Sequence, residues 1–192
     1  MPIIYFIRHA EPNYEEKNDY KRGLVEIGKK AAMKLTETFS DLEIEEFYSS
    51  PFLRAVQTIQ PLADSKKKKI KLMNDFCERK SAGYHIPELD FKGYAQRQWE
   101  DFNYKYEGGE CLMDVQRRYT LGVQKILRGA FDHEEVYVVG CHITGLCAYL
   151  NQFGIINSYQ EFVEVRDCKP WVVMVKYEGI KYQDALILGT TL

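Results

Sequence analysis

The 192-residue sequence lacks a long apolar run, a surplus of either charge, a paired cysteine motif and any internal repeat. Each absence removes a class of function. No segment approaches the roughly 20 apolar residues that span a bilayer, and the opening MPIIYFIRHAEP has neither a basic leading stretch nor a small-residue cleavage site. A soluble, untargeted chain is expected. With 26 Lys and Arg against 28 Asp and Glu the net charge is -2, so no general field draws the chain to nucleic acid or anionic lipid. Neither is expected as a partner, and any anion site has to be a local concentration of positive charge. Cys77, Cys111, Cys141, Cys147 and Cys168 are odd in number and irregularly spaced, without a CxxC, which fits neither a disulfide framework nor a zinc site. Reduced thiols imply a cytoplasmic setting. There is no HExxH, and His85 with Glu88 is an isolated pair, so neither a metal nor another cofactor is expected.

What is present is globular: 45% hydrophobic, 14% aromatic and 28% charged residues. A chain of this length removes roughly 70% of its unfolded surface from water, so a single domain over 1–192 needs no covalent staple. Pro2 to Arg8 is a nearly continuous apolar run, as in a strand buried on both faces. Gly23 to Phe39 places Leu24, Ile27, Ala31, Leu35 and Phe39 on one helical face. Glu46 to Ser50 reads as a short strand, followed by a helix with Ala55, Ile59, Leu62 and Ala63 inward. Ile70 to Cys77 is the next strand candidate, and Gly93 to Tyr106 is aromatic-rich without a clear period. Cys111 to Phe131 carries Leu112, Val115, Tyr119, Val123, Ile126 and Leu127 at helical spacing. Val136 to Gly140 is a buried strand, Thr144 to Phe153 a short helix closed by Gly154, and Trp171 to Tyr177 with Tyr182 to Leu188 a hairpin through Glu178-Gly179. Alternating strands and helices predict an α/β fold, a three-layer α/β/α sandwich with a mainly parallel central sheet.

Ligand sites in such sheets lie beyond the carboxyl ends of the strands, and two of the four histidines sit there. The first strand delivers Arg8-His9 into a loop, and Val136 to Cys141 delivers His142 in the same way. Arg54 follows a third strand near a helix start, where its fork and that of Arg8 would bracket a tetrahedral anion. Glu78-Arg79 ends the fourth strand candidate. Other patterns are weaker. Lys66 to Lys69 lies between a helix end and a strand, as solvated charge does. Cys111 to Arg117 matches a CxxxxxR phosphate loop only formally, because the intervening residues have helical periodicity and no glycine. Gly23 to Lys30 approaches a nucleotide loop, but no strand precedes it.

These residues resemble the histidine phosphatase superfamily, the phosphoglycerate mutase-like proteins. Arg8-His9-Ala10-Glu11 is similar to the RHG motif, Gly23-Leu24-Val25-Glu26-Ile27-Gly28 to an LTE.G helix start, and Ser49-Ser50-Pro51-Phe52-Leu53-Arg54-Ala55-Val56-Gln57-Thr58 to SSPL.RA.QT. Gly108-Gly109-Glu110-Cys111 resembles the GGES box, and Val138-Val139-Gly140-Cys141-His142 the VSHG element. The resemblance implies a metal-free phosphomonoesterase acting on a phosphorylated small molecule. His9 would be the nucleophile, Arg8, Arg54 and His142 would hold the transferring phosphoryl oxygens, and Glu78 would be general acid and then base. Asn13 stands near the position where many members place an asparagine.

Arg79 either holds a second anionic group of the substrate or pairs with a surface carboxylate. A segment from Ser81 to Gly109, with Tyr84, Phe91, Tyr94, Trp99, Phe102, Tyr104 and Tyr106, is expected to cover the site, although core packing explains several of these rings. Two departures bear on the pocket: Ala10 replaces a glycine, and Ile143 stands where a glycine would follow the second histidine. The alternatives to hydrolysis are mutase-type phosphoryl transfer and a catalytically weak regulator that binds a phosphorylated ligand.

Overall fold

The computed structural model describes residues 1–81, 91–129 and 134–189. Its strands and helices follow the chain as β1 (Ile3–Arg8), α1 (Glu26–Thr38), β2 (Glu46–Ser49), α2 (Leu53–Ser65) and β3 (Ile70–Leu72). A 3-10 turn at Asn74–Phe76 comes next, then α3 (Phe91–Glu100), α4 (Leu112–Leu127), β4 (Val136–Cys141), α5 (Ile143–Asn151), α6 (Tyr159–Val165), β5 (Trp171–Glu178) and β6 (Lys181–Gly189). The strands form one sheet in the order β3-β2-β4-β1-β5-β6. β1, β2, β3 and β4 pair in parallel, whereas β5 is antiparallel to both β1 and β6.

The central strand β1 is buried at all six positions, and its alternate side chains serve two cores. Ile3, Tyr5 and Ile7 meet Leu35 and Phe39 at the end of α1 and Ile59 and Leu62 of α2. Ile4 and Phe6 face the other way, toward Val115, Tyr119 and Val123 of α4, Leu146 and Leu150 of α5, and Phe162 of α6. The molecule is therefore a three-layer α/β/α sandwich on a mostly parallel sheet. None of its described helices is long and apolar enough to cross a membrane.

Local differences from the sequence reading have physical causes. In α1 the inward face is Gly28, Ala32 and Leu35, while Ile27 is 68% exposed. Gly28 lies inward because its backbone touches the loop after β1: a Cβ there would come within 2.4 Å of the Glu11 carbonyl oxygen. β3 stops at Leu72, well short of Cys77, because it is an edge strand paired only with Phe47–Ser49 of the short β2. The aromatic stretch after residue 90 contains the helix α3, and α6 is an element that periodicity did not reveal. The β5–β6 hairpin turns through Gly179, whose φ of 56° is costly for a residue with a Cβ. The lysine run closes α2, with Lys66 and Lys68 donating to the carbonyls of Ser40 and Glu45. Tyr84, His85, Glu88 and Phe131 lie outside the described residues.

Candidate active site

β1, β2 and β4 are adjacent and parallel, so the residues that follow them emerge together at one edge of the sheet. His9 N donates to the Cys141 carbonyl at 3.1 Å and Ser50 N to the Gly140 carbonyl at 2.9 Å, extending the ladder into the loops. The consequence is that His9 and His142 lie with ring centroids 5.2 Å apart and planes at 61°.

His9 Nδ1 sits 2.8 Å from the Ala10 carbonyl oxygen. A carbonyl can only accept, so Nδ1 carries the ring proton and Nε2 keeps its lone pair. Burial pushes both rings well below the ordinary histidine range, with the positive charges of Arg54 and Arg8 acting in the same direction. At His9 the hydrogen bond to Ala10 opposes this. His142 is buried, with Nε2 2.9 Å from the Ser50 hydroxyl and Phe52 packed at 5.0 Å between ring centroids.

Arg8 is buried and donates Nη1 to the carbonyls of Arg166 and Cys168 at 2.5 and 2.6 Å. Burial lowers its pKa, and the Glu78 charge works against that. Arg54, also buried, leaves the first turn of α2 and donates Nη1 to the Asp19 carbonyl at 2.8 Å and its carboxylate at 2.9 Å. Its guanidinium lies 4.9 Å from the Phe52 ring centroid. Glu78 accepts from Arg79 N through Oε1 at 2.6 Å and from Thr144 N through Oε2 at 3.3 Å, which brings its carboxyl to the start of α5, two residues beyond His142. Arg79 turns inward rather than to a surface carboxylate: it bonds Gln98 Oε1 and lies 5.2 Å from the Tyr94 ring centroid. Its pKa is lowered by burial, against the pull of Glu78.

Five buried side-chain polar atoms among the described residues have no hydrogen-bond partner, and three of them are Arg8 Nε, Arg79 Nε and His142 Nδ1. Unmatched buried polar atoms are rare, and their concentration on residues of one strand-end cluster fits an anion as the partner. A cavity of about 470 Å³ adjoins this cluster, with Asp19, Tyr20, Phe52, Glu78 and Arg79 in its wall.

Asn13 Oδ1 accepts from Glu15 N at 3.0 Å and shapes the turn after β1. Of the aromatic segment, Tyr94 stacks on Tyr106 behind Arg79, while Trp99 packs on Phe102 and Phe162. Cys111 caps α4, its Sγ accepting from Asp114 N at 3.4 Å, and Arg117 is exposed, so the CxxxxxR pattern is helix and not a phosphate loop. Ala10 and Ile143 are absent from the positive-φ positions, so neither replaced glycine leaves strain behind. Several contributors escaped the sequence reading. Thr58 Oγ1 accepts from Ala10 N at 2.9 Å and donates to the Arg54 carbonyl at 2.8 Å. Thr58 and Ser50 lay within a quoted motif without an assigned role; Asp19 and Gln98 carried no sequence signal.

The family model for the histidine phosphatase superfamily (branch 1) matches residues 4–161. No protein of curated function matches the chain by sequence. Among solved structures, a mycobacterial glucosyl-3-phosphoglycerate phosphatase superposes with a TM-score of 0.76 at 16% identity, covering 97% of each chain. Bacillus stearothermophilus YhfR gives 0.75 at 19% identity, with 95% of each chain covered. A phosphoserine phosphatase mutant from Entamoeba histolytica, bound to phosphoserine, gives 0.74 at 13% identity over 100% of this chain and 98% of the other. At these identities the structures speak for the fold, and the family match spans most of the sequence. The chain belongs to the histidine phosphatase superfamily, branch 1.

Proposed function

We propose that the protein is a phosphomonoesterase that hydrolyses a small phosphorylated molecule through a phosphohistidine at His9 Nε2. The observation that carries this reading is the His9 ring itself: buried, neutral, with Nδ1 committed to Ala10 and Nε2 left as the nucleophile. A metal is not required by the chemistry, because a positioned nucleophile, fixed cations and a proton donor supply each need of the reaction.

In the first step the Nε2 lone pair attacks phosphorus in line with the ester oxygen, forming the N–P bond as the P–O bond breaks. Arg8, Arg54 and His142 stabilise charge on the three remaining phosphoryl oxygens. Glu78, in its protonated form, gives its proton to the departing alkoxide, since an alcohol leaves poorly as the anion near pH 7. In the second step Glu78 takes a proton from water, the hydroxide attacks phosphorus, and the N–P bond breaks to return neutral His9 and inorganic phosphate. The two named phosphatases among the structural neighbours act on glucosyl-3-phosphoglycerate and phosphoserine, both small phosphorylated molecules. Hydrolysis is favoured over transfer to a second substrate because only the limited segment from Ser81 to Gly109 is available as a lid that shields phosphohistidine from water.

Turnover of an aryl phosphate in the presence of EDTA tests the reading. Wild type should turn over, His9→Ala should be inactive, and rapid quench should trap an acid-labile phosphoenzyme. Activity that needs a metal, or that survives in His9→Ala, overturns it. Efficient isomerisation of phosphoglycerate with a bisphosphoglycerate primer would replace hydrolysis by transfer.

A further inference from the structure

The segment that carries Glu78 has no regular structure of its own between the 3-10 turn and Ser81. One arginine grips its backbone at three points. Arg118, in the middle of α4, donates Nη1 to the carbonyls of Asp75 at 2.8 Å and Cys77 at 2.7 Å, and Nη2 to the Glu78 carbonyl at 3.1 Å. The same guanidinium meets Glu110 through two bonds, Nε to Oε1 at 2.8 Å and Nη2 to Oε2 at 3.0 Å. Glu110 in turn clasps the segment from its far side: its Oε2 accepts from Lys80 N at 2.8 Å, and its backbone N donates to the Lys80 carbonyl at 2.8 Å. The Glu110 carbonyl accepts from Gln98 Nε2 at 2.9 Å, and Gln98 is the residue that holds Arg79.

Two properties separate this arrangement from an ordinary ion pair. Arg118 grips main-chain oxygens rather than the Glu78 carboxyl. An arginine bonded to that carboxyl would favour the anion and remove its use as an acid. The Arg118 charge is also matched by Glu110, and both side chains stand in the wall of the cavity beside Glu78 and Arg79. Proton transfer requires the donor within hydrogen-bond reach of the leaving oxygen, and a displacement of about 1 Å costs on the order of 10²-fold in rate. We infer that Arg118 and Glu110 are positioning residues that set the Glu78 carboxyl against the leaving group.

This inference rests on Glu78 being the general acid, and leaving-group dependence tests the two separately. A dinitrophenolate departs without a proton, whereas a glycerol alkoxide needs one. We would measure kcat/KM for dinitrophenyl, nitrophenyl, phenyl and glycerol phosphates with wild type, Glu78→Gln, Arg118→Lys and Glu110→Gln, each verified by circular dichroism and thermal melting. Glu78→Gln should lose about 10²–10⁴-fold on glycerol phosphate and little on dinitrophenyl phosphate. Arg118→Lys and Glu110→Gln should reproduce that pattern at about 10–100-fold, with the phosphoenzyme from dinitrophenyl phosphate still formed. If Arg118→Lys does not fold, Glu110→Gln carries the test, because it keeps an acceptor for Lys80 N while losing the ion pair. A steep response in Glu78→Gln with a uniform loss, or none, in the folded positioning variants overturns the inference alone. A flat response in Glu78→Gln overturns the assignment of the acid and this inference with it.

Discussion

The carboxylate of Asp19 holds the guanidinium of Arg54 at 2.9 Å, through a side chain that is 48% exposed on one partner and 5% on the other. Arg22 holds the same carboxylate oxygen at 3.1 Å. Asp19 thus presents to Arg54 the kind of oxygen that a phosphate would present, and in the proposed site the two anions would compete for one cation. In Asp19→Asn, inorganic phosphate should inhibit about twofold to fivefold more tightly, the range set by a partly exposed ion pair. Inhibition constants decide it; weaker binding would mean that Asp19 orients Arg54 for the substrate instead.

The two buried histidines couple stability to acidity. In the unfolded chain each takes up a proton near its ordinary value of about 6.5, while burial in the folded protein disfavours the charged form. The unfolded state therefore binds more protons below that pH. Stability is complete above it and falls as pH drops through it, by up to about 1.4 kcal/mol per pH unit for each ring. Urea denaturation at about pH 7.5 and about pH 5.5 should show this loss, and His142→Asn should reduce it by about half. An undiminished loss in that variant would contradict the assignment.

Arg8 bonds two carbonyls through one nitrogen while its Nε has no partner. A lysine ammonium has no fork with which to hold both carbonyls and still offer a directed pair of donors to phosphate. Arg8→Lys should lower kcat/KM for an aryl phosphate by about 10²–10³-fold and also lower the melting temperature, since a carbonyl at residues 166–168 loses its donor. A change of less than tenfold would exclude Arg8 from the phosphoryl site.

Cys111 serves as a helix cap. Cys111→Ser should keep full activity and equal or greater stability, since a hydroxyl is the better acceptor, and Cys111→Ala should lose about 0.5–2 kcal/mol. Loss of turnover in Cys111→Ser would revive a thiolate mechanism.

At Gly28 an added methyl group meets the Glu11 carbonyl at 2.4 Å, and backbone has to move to admit it. Gly28→Ala should cost about 1–3 kcal/mol in chemical denaturation. It should also lower kcat, because Glu11 follows the His9-Ala10 pair directly. A neutral substitution would show that the loop yields freely.

The parts of this architecture that were legible in the sequence are those where hydropathy and geometry agree. The doubly buried β1 and β4 and the apolar stripe of α4 are unmistakable runs, and they deliver His9 and His142 to adjacent strand ends. Hydropathy failed where a small residue faces inward: Gly28 and Ala32 outrank Ile27 in α1 because the close approach of a loop, not apolar area, chooses the face. It failed again at β3, whose length is set by its partner β2 rather than by its own residues. The proton position on His9 and the contacts of Arg8 and Asp19 were invisible for another reason. They are bonds to main-chain groups or between distant loops, and such partners have no residue type to recognise.

The carbonyls that anchor Arg8 lie 158 and 160 positions further along the chain, beyond the stretch matched by the family model. Both neighbours of β1 in the sheet, β4 and β5, also come from the last third of the sequence. During synthesis β1 emerges well before both of its sheet partners, and it waits as an uncovered apolar segment until residues 136–178 are made. Contacts of such long sequence separation slow folding and leave early chains exposed to aggregation. Arg8 and His9 precede nearly everything that surrounds them, yet Arg8 gains its carbonyl anchors only when residues 166–168 are in place.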